Sequence, residues 1–274
     1  MFATTLLCQV LLATAAFAIP TSKERFAQRV ARRAGGLTHQ SHPKKLVSTL
    51  PVTESKEALS GNVSHSTYSE NWSGAVLSES TATYQSVTGT FVVPTPQEPS
   101  GDSGAHYASA WVGIDGATCS TAILQTGVDF NVDGTTVSYD AWYEWYPDYA
   151  YDFSGITFSA GDSVTVTVTA TSTTGGTAEI TNESTGETVS HTFSGQPALC
   201  EYDAEWIVED FSSTDGLVPF ADFGNVTFTG ASAGTVGGTT VGPSGAELID
   251  IMQDDQVLTS VSTGSNSVTV SYVG

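Results

Sequence analysis

Three segments of this sequence concentrate the carboxylate and amide side chains that are best suited to chemistry. They cover residues 121–130, 139–148 and 205–211. If each segment is a β-strand, alternate side chains lie on the same face. The polar and aromatic faces then carry Gln125, Gly127 and Asp129; Asp140, Trp142, Glu144 and Tyr146; and Glu205, Ile207, Glu209 and Phe211. A glycine beside a glutamine, and tryptophans among carboxylates, favour a binding cleft over a solvated outer sheet.

Other familiar catalytic arrangements fit the sequence poorly. The zinc motif His-Glu-x-x-His and the Asp-Thr-Gly of aspartic peptidases are absent. The tetrad Gly101-Asp102-Ser103-Gly104, with His106 nearby, resembles the surroundings of a serine-protease nucleophile, but Ala105 follows it and a Pro-rich loop precedes it. In acid a histidine would also be protonated and therefore useless as a base. Carboxylates and amides remain as the candidate catalytic groups.

The distribution of charge indicates a domain that works in acid. All eight Lys and Arg residues lie before residue 57, whereas 27 of the 29 Asp and Glu residues lie after Lys56. At neutral pH these carboxylates repel one another, and the repulsion disappears when they are protonated. Such a surface is a poor partner for nucleic acid or for an anionic membrane.

The first 66 residues have the pattern of segments that are removed from a secreted, extracellular protein. Residues 1–18 contain a short apolar run that closes on Ala16-Phe17-Ala18, the small-x-small pattern of a signal peptide. Residues 19–66 form a basic pro-segment, which we expect to act as a folding partner and inhibitor of the acidic domain that follows, residues 67–274. A passive linker is the alternative interpretation of the pro-segment.

Two cysteines remain once the signal peptide is removed. They are Cys119 and Cys200, and in an exported protein oxidation is the default state of such a pair. The sequence therefore predicts one disulfide, which closes a loop of about 80 residues.

The sequence from about residue 68 onward has the pattern of short antiparallel strands. Residues 163–171 alternate strictly between Ser or Thr and Val or Ala, and residues 178–193 have the pattern of a hairpin. No long helical period is present. These features predict an all-β fold, an antiparallel β-sandwich of the jelly-roll, concanavalin A-like type with two large sheets.

Five motifs, taken in order, resemble the fungal glutamic peptidases, the eqolisins of peptidase family G1. They are Asn71-Trp-Ser-Gly-Ala-Val76, Trp111-Val-Gly-Ile-Asp-Gly116, Ile123-Leu-Gln-Thr-Gly-Val-Asp-Phe130, the aromatic segment 138–153, and Ala204-Glu-Trp-Ile-Val-Glu-Asp-Phe211. The resemblance extends from about residue 68 to the C-terminus. It implies an acid-active endopeptidase with a catalytic Gln and Glu dyad and with neither a metal nor a cofactor.

The resemblance also assigns residues. It aligns the family's glutamine with Gln125 and its glutamate with Glu209, and Glu205 is the reserve because the same motif holds both glutamates. Substrate contacts are expected from Trp72, Asp129, Trp142, Glu144 and Phe211. Some members carry a second disulfide in the hairpin after this motif, whereas residues 212–216 contain no cysteine.

The expected partners are protein and peptide substrates, and the expected state is a monomer. A carbohydrate-active jelly-roll protein, either a glycosidase or a lectin-like module, is the alternative function. It differs in a testable way, because a glycosidase needs a second essential carboxylate and tolerates loss of Gln125.

We predict that the processed domain is most stable in acid and loses stability as the pH rises toward neutrality. Crowded carboxylates without cations have folded-state pKa values above their unfolded values. Stability is therefore intact below the unfolded pKa, near 4, and is lost as the pH rises through the higher folded values. Thermal midpoints of the precursor and the processed form between about pH 3 and pH 8 test this, and the precursor should be the less sensitive of the two. A midpoint of the processed form that stays flat or rises over this range would contradict the electrostatic explanation.

Overall fold

The computed structural model describes residues 39–47, 67–213 and 216–274, all of which belong to one compact unit, Gly36–Gly274. The predicted signal peptide, residues 1–18, and most of the predicted pro-segment lie outside the described residues. Within the described ranges every regular element is a β-strand. These ranges contain no helix of the length and hydrophobicity needed to span a membrane.

The larger sheet has nine strands. They are, in chain order, β1 (Thr67–Ser69), β2 (Trp72–Ser78), β4 (Ala105–Ile114), β5 (Ile123–Asp133), β6 (Thr136–Tyr146), β7 (Tyr151–Asp152), β11 (Asp203–Glu209), β16 (Glu247–Gln253) and β17 (Gln256–Val257). The strand order is β1-β16-β2-β11-β4-β5-β6-β7, with β17 paired to β16, and every pair except β1 with β16 is antiparallel.

The second sheet has eight strands and packs its inner face against the first. They are β3 (Tyr84–Val92), β8 (Ser163–Ser172), β9 (Gly175–Asn182), β10 (Glu187–Phe193), β14 (Asn225–Thr235), β15 (Thr240–Val241), β18 (Thr259–Thr263) and β19 (Ser267–Tyr272). The order is β10-β9-β8-β3-β14-β19-β18, with β15 paired to β14. A small hairpin is formed by β12 (Ser212–Ser213) and β13 (Gly216–Leu217). The predicted sandwich of two large antiparallel sheets is confirmed.

The alternation of side chains explains why these segments form a sandwich. On β8 the valines at 164, 166 and 168 are fully buried, whereas the intervening Ser and Thr residues are partly exposed. The main core lies between the sheets and includes Trp206, Phe91 and Phe228. Burial of apolar surface at about 25 cal/mol per Å² stabilises this arrangement.

The larger sheet is buried on both faces. Ten consecutive residues of β5, from Ile123 to Val132, are buried, although only alternate ones face the main core. Its outer face carries a second apolar cluster made of Trp72, Val76, Trp111, Ile123, Trp142, Ala150, Ile207 and Ile249. A solvated outer sheet is therefore not what this face forms.

The disulfide between Cys119 and Cys200 is present. Its ends are held by buried aspartates, because Asp115 accepts hydrogen bonds from the backbone N–H groups of residues 200–203 and Asp203 accepts them from residues 117–119. The carboxylates thus replace the backbone partners that these two loops lack.

Two of the four Asn-x-Ser/Thr sequons are unsuited to carry a glycan. The side chains of Asn71 and Asn182 are buried and hydrogen-bonded. Asn225 is exposed at the start of β14, and Asn62 lies outside the described residues.

We predict that the processed protein, unfolded without reductant, contains no titratable thiol, because both cysteines are paired. Replacing both by alanine should lower the thermal midpoint by about 10 °C, since a crosslink over 81 residues stabilises by roughly 4 kcal/mol in the chain-entropy treatment. A thiol assay and a thermal melt measure the two quantities. Two thiols per chain would contradict the pairing.

Candidate active site

The register of the larger sheet brings the predicted site residues to one face. Gln125 pairs with Gly113 on one side and Glu144 on the other, and Gly113 pairs with Glu205. The row four residues further along β5 contains Trp72, Glu209, Ser109, Asp129 and Asp140 in neighbouring strands. Directly paired residues of antiparallel strands point to the same face. The three polar faces expected from the sequence are therefore one continuous surface.

Trp111 lies between these two rows, and two glycines leave room for its ring. It pairs with Ile207 and with Gly127, which in turn pairs with Trp142. A methyl group at Gly127 would lie 2.5 Å from Cβ of Trp111, and one at Gly113 would lie 2.8 Å from Cζ3 of the same residue. Trp111 therefore occupies the centre of the face, with Gln125 and Glu209 at the two ends of one diagonal through it.

Glu209 is held by several hydrogen-bond donors. The indole N–H of Trp111 donates to Oε2 at 3.0 Å, and Nδ2 of Asn71 donates to Oε1 at 3.4 Å. The backbone N–H of His42 also donates to Oε1 at 3.2 Å. These contacts fix the direction in which the carboxyl group points.

Burial raises the pKa of Glu209 to about 7. The Ser41 hydroxyl, the charge of His39, the N–H of His42 and the indole of Trp111 all favour the ionised form, but together they do not offset the loss of water. Burial also raises the pKa values of Glu144 and Glu205 well above their usual range. In acid these three carboxyl groups are therefore protonated in the described structure.

Gln125 is fully buried, and neither its Oε1 nor its Nε2 has a hydrogen-bond partner among the described residues. A neutral amide offers two N–H donors and an acceptor oxygen at any pH. Gln125 is thus available to a group that enters the cleft.

Residues 39–47 cross this face as an extended segment. The N–H of Ser41 donates to Oε2 of Glu144 at 3.2 Å, next to the bond from His42 to Glu209. Further along, the N–H of Lys45 donates to Oδ1 of Asn71, and Nζ of Lys44 pairs with Glu247 at 2.9 Å. Backbone bonds to residues 68, 70, 116, 150 and 212 also attach it.

His39 occupies a pocket at one end of this segment. Its ring stacks on Phe211 with a centroid distance of 4.1 Å and lies 4.6 Å from the ring of Trp142. Its Nδ1 lies 2.8 Å from Oδ2 of Asp129. Burial disfavours the charged ring, but the charge and hydrogen bond of Asp129, together with the charges of Glu209 and Asp152, outweigh burial and raise the pKa of His39 above its usual value.

The five expected substrate contacts therefore divide into two groups. Asp129, Trp142, Glu144 and Phe211 touch the 39–47 segment. Trp72 lies in the same row as Glu209 and packs edge to face on Trp111 with a centroid distance of 5.0 Å.

Sequence reasoning did not select Trp111, Asn71 or Ser109 as site residues. Ser109 accepts a hydrogen bond from the indole of Trp142 at 2.9 Å, so it orients a pocket wall. Trp111 and Asn71 lie in the motifs that carry the family resemblance, but only the strand register shows that they contact Glu209.

Serine and metal chemistry find no support among the described residues. His106 contacts Asp102 and the carbonyl of Gly104, and the Gly-x-Ser-x-Gly spacing of residues 230–234 lies within β14 rather than at a strand-to-helix turn. The one group with metal-ligand spacing in the described ranges is Asp115, Cys119 and Cys200, and its cysteines are joined as a disulfide.

Comparison with known proteins agrees with this geometry. The Peptidase A4 family matches residues 70–272. Aspergillopepsin-2 of Aspergillus niger is 51% identical over 98% of this chain and 99% of its own length.

Two solved structures are similar. Scytalido-glutamic peptidase with a transition state analog inhibitor has a TM-score of 0.68 at 43% identity and covers 74% of this chain and 98% of its own. Aspergilloglutamic peptidase from Aspergillus niger has a TM-score of 0.60 at 65% identity and covers 61% of this chain and 99% of its own. The resemblance drawn from the five motifs is confirmed, and the chain belongs to the Peptidase A4 family, the glutamic peptidases.

Proposed function

We propose that residues 67–274 form an acid endopeptidase in which Glu209 is the general base and Gln125 stabilises the oxyanion. The observation that carries this assignment is the 39–47 segment, an extended peptide whose backbone N–H groups bond to Glu209 and Glu144 on the face that also holds Gln125. This face therefore fits a polypeptide backbone. One solved relative holds a transition state analog inhibitor.

The proposed reaction needs a single water. Glu209 takes a proton from this water as the water oxygen attacks the scissile carbonyl carbon, and the carbonyl oxygen becomes an oxyanion. The Gln125 NH₂ donates to that oxyanion, while Oε1 of Gln125 helps to hold the water. Glu209 then returns the proton to the leaving nitrogen as the C–N bond breaks. Trp111 and Asn71 hold the Glu209 carboxyl in position.

The pKa of Glu209 links this chemistry to removal of the 39–47 segment. A carboxyl with a pKa of about 7 is protonated in acid and cannot accept a proton from water. Once the segment leaves, water reaches Glu209 and its pKa falls toward its reference value near 4.3, where it is an effective base in an acid medium.

Asp129, Trp142 and Phe211 are proposed to form a substrate pocket, because they hold the His39 side chain of a bound peptide. Glu144 is proposed to bind a substrate backbone N–H as it binds that of Ser41. Trp72 pairs with Glu209 on this face and packs on Trp111, and it is also proposed to contact the substrate.

The carbohydrate-active alternative is not favoured, because the matched family and the relatives described above are peptidases. Export is supported by the signal-like residues 1–18 and by the Cys119–Cys200 disulfide. All the groups with an assigned role come from one chain, and we propose that the enzyme acts as a monomer.

We predict that Glu209→Gln and Gln125→Ala each abolish peptidase activity while leaving the fold intact. Glu209→Gln removes the base, and Gln125→Ala removes an oxyanion donor, whose loss costs about 10²–10³ in rate. Activity on a denatured protein in acid measures both, and circular dichroism checks folding. Near wild-type cleavage by a folded Glu209→Gln enzyme would remove Glu209 from its role, and a glycosidase would tolerate the loss of Gln125.

We further propose that the pro-segment inhibits the enzyme by occupying the cleft through residues 39–47. The attraction combines His39 with Asp129 and Lys44 with Glu247. The pair of Lys44 with Glu247 needs an ionised carboxylate. Burial disfavours that form, but the hydrogen bonds from Thr67 and Lys44 and the charge of Lys44 hold the pKa of Glu247 below its usual value, so this pair weakens as the pH falls through that lowered pKa. Acid therefore releases the inhibitor under the conditions in which Glu209 works.

A synthetic peptide of residues 39–47 should inhibit the processed enzyme more strongly at about pH 5 than at about pH 3. Replacing His39 or Lys44 of this peptide by alanine should raise its inhibition constant about tenfold, the effect of losing a hydrogen bond to a charged group. Lys45→Ala is the matched control, because Lys45 has an exposed side chain and binds Asn71 through its backbone. Equal inhibition by all four peptides would contradict the proposed contacts.

A further inference from the structure

Three side chains in one row of the larger sheet share an unusual property. Gln125, Glu144 and Glu205 are fully buried, and five of their polar atoms have no hydrogen-bond partner among the described residues: both oxygens of Glu205, Oε1 and Nε2 of Gln125, and Oε1 of Glu144. Most buried side-chain polar atoms in native proteins are hydrogen-bonded. The concentration of such atoms beside the proposed catalytic amide of Gln125 indicates that these three side chains interact with one another in the function of the site.

Glu205 and Gln125 lie on either side of Gly113, and the edge of the Trp111 ring lies over this glycine next to both of them. A methyl group at Gly113 would lie 2.8 Å from Oε1 of Glu205 and 3.4 Å from Cβ of Gln125. These distances put the Glu205 carboxyl within about 6 Å of Cβ of Gln125, so its amide is in reach through one direct or one water-mediated hydrogen bond.

We propose that Glu205 is a positioning residue that, as a neutral carboxylic acid, donates a hydrogen bond to Oε1 of Gln125, directly or through one water, and thereby turns the Gln125 NH₂ toward the substrate. The proposal rests on the proposed function of Gln125. It gives the second glutamate of the motif a role other than that of base.

The surroundings of Glu205 favour its protonated form. Burial is the main cause that raises its pKa, and the charges of Asp203 and Asp115 raise it further. Lys44 acts in the opposite direction, but it belongs to the pro-segment and leaves with it. In the same row, Glu247 lies beyond Val76 and Glu144 lies beyond Gln125. Release of the pro-segment therefore leaves Glu205 among carboxyl groups.

Ionisation of Glu205 has a specific consequence for Gln125. A carboxylate accepts hydrogen bonds and donates none, so it would attract the NH₂ group of Gln125 and turn it away from the cleft. Activity then needs Glu209 ionised and Glu205 protonated. The acid limb of the pH profile reports the first group, and the neutral limb reports the second.

The test compares Glu205→Gln, whose amide still donates a hydrogen bond, with Glu205→Leu, which cannot. All variants are expressed as the full chain, processed in acid and assayed for kcat and KM as a function of pH. Glu179→Gln and Glu179→Leu are the control variants, because Glu179 is an exposed glutamate on β9 of the other sheet and has no assigned role.

We expect Glu205→Gln to retain kcat within about threefold in acid and to shift its neutral limb upward by about one pH unit or more. Glu205→Leu should lower kcat by about tenfold to a hundredfold, with little change in KM. This effect is larger than that of losing one neutral hydrogen bond and smaller than that of losing an oxyanion donor. The Glu179 variants should leave both limbs and kcat unchanged.

Three results would overturn the proposal: an inactive, folded Glu205→Gln enzyme, which would make Glu205 the base; an unshifted neutral limb in that variant; or a Glu205→Leu enzyme with normal kcat. Should Glu205→Leu fail to fold, the neutral limb of Glu205→Gln decides alone, with circular dichroism confirming that the protein stays folded over the assay. Glu209→Gln and Gln125→Ala are measured in parallel. If these two variants stay active, the proposed function itself fails, whereas normal behaviour of the Glu205 variants alone removes only this inference.

Discussion

The hydrogen-bonded register of β11, β4, β5 and β6 decides which side chains meet on the outer face of the larger sheet. A shift of one residue in β5 would turn Gln125 and Asp129 into the core and bring Leu124 and Val128 out. Burial on both faces resists such a shift, because each face has its own apolar cluster. Gly113 and Gly127 complete the arrangement, since a side chain at either position would displace the ring of Trp111 that holds Glu209.

The same burial that shapes the cleft sets its acid chemistry. Excluding water raises the pKa values of Glu144, Glu205 and Glu209, so these carboxyl groups can lie close together without mutual repulsion while the pH is low. At neutral pH these groups ionise, and residues 67–274 contain no Lys or Arg that could pair with them. Acid is therefore a requirement of the site as well as of the overall charge.

The sequence was sufficient for the fold and for the faces of the strands, because two-residue alternation and directly paired faces are local properties. It did not reveal that Trp111 and Asn71 bind Glu209, since that contact depends on which strands are neighbours and in what register. It placed Trp72 among the substrate contacts, and the structure adds that its ring packs edge to face on Trp111. Composition indicated attraction by the pro-segment, but the choice of residues 39–47, with His39 in a pocket, depends on tertiary geometry.

The position of the pro-segment also explains why a peptide in the cleft need not be cleaved. The N–H of His42 donates to Glu209, so an amide nitrogen takes a place in which a water would have to be activated. Gln125 has no hydrogen-bond partner among the described residues. The carbonyl groups of residues 39–47 therefore do not accept a hydrogen bond from its NH₂, and none of them lies in the proposed oxyanion position. Burial by the segment keeps Glu209 protonated in acid. In the proposed inhibition, the bound segment blocks the base, the water and the oxyanion site together, and its release precedes cleavage at this site.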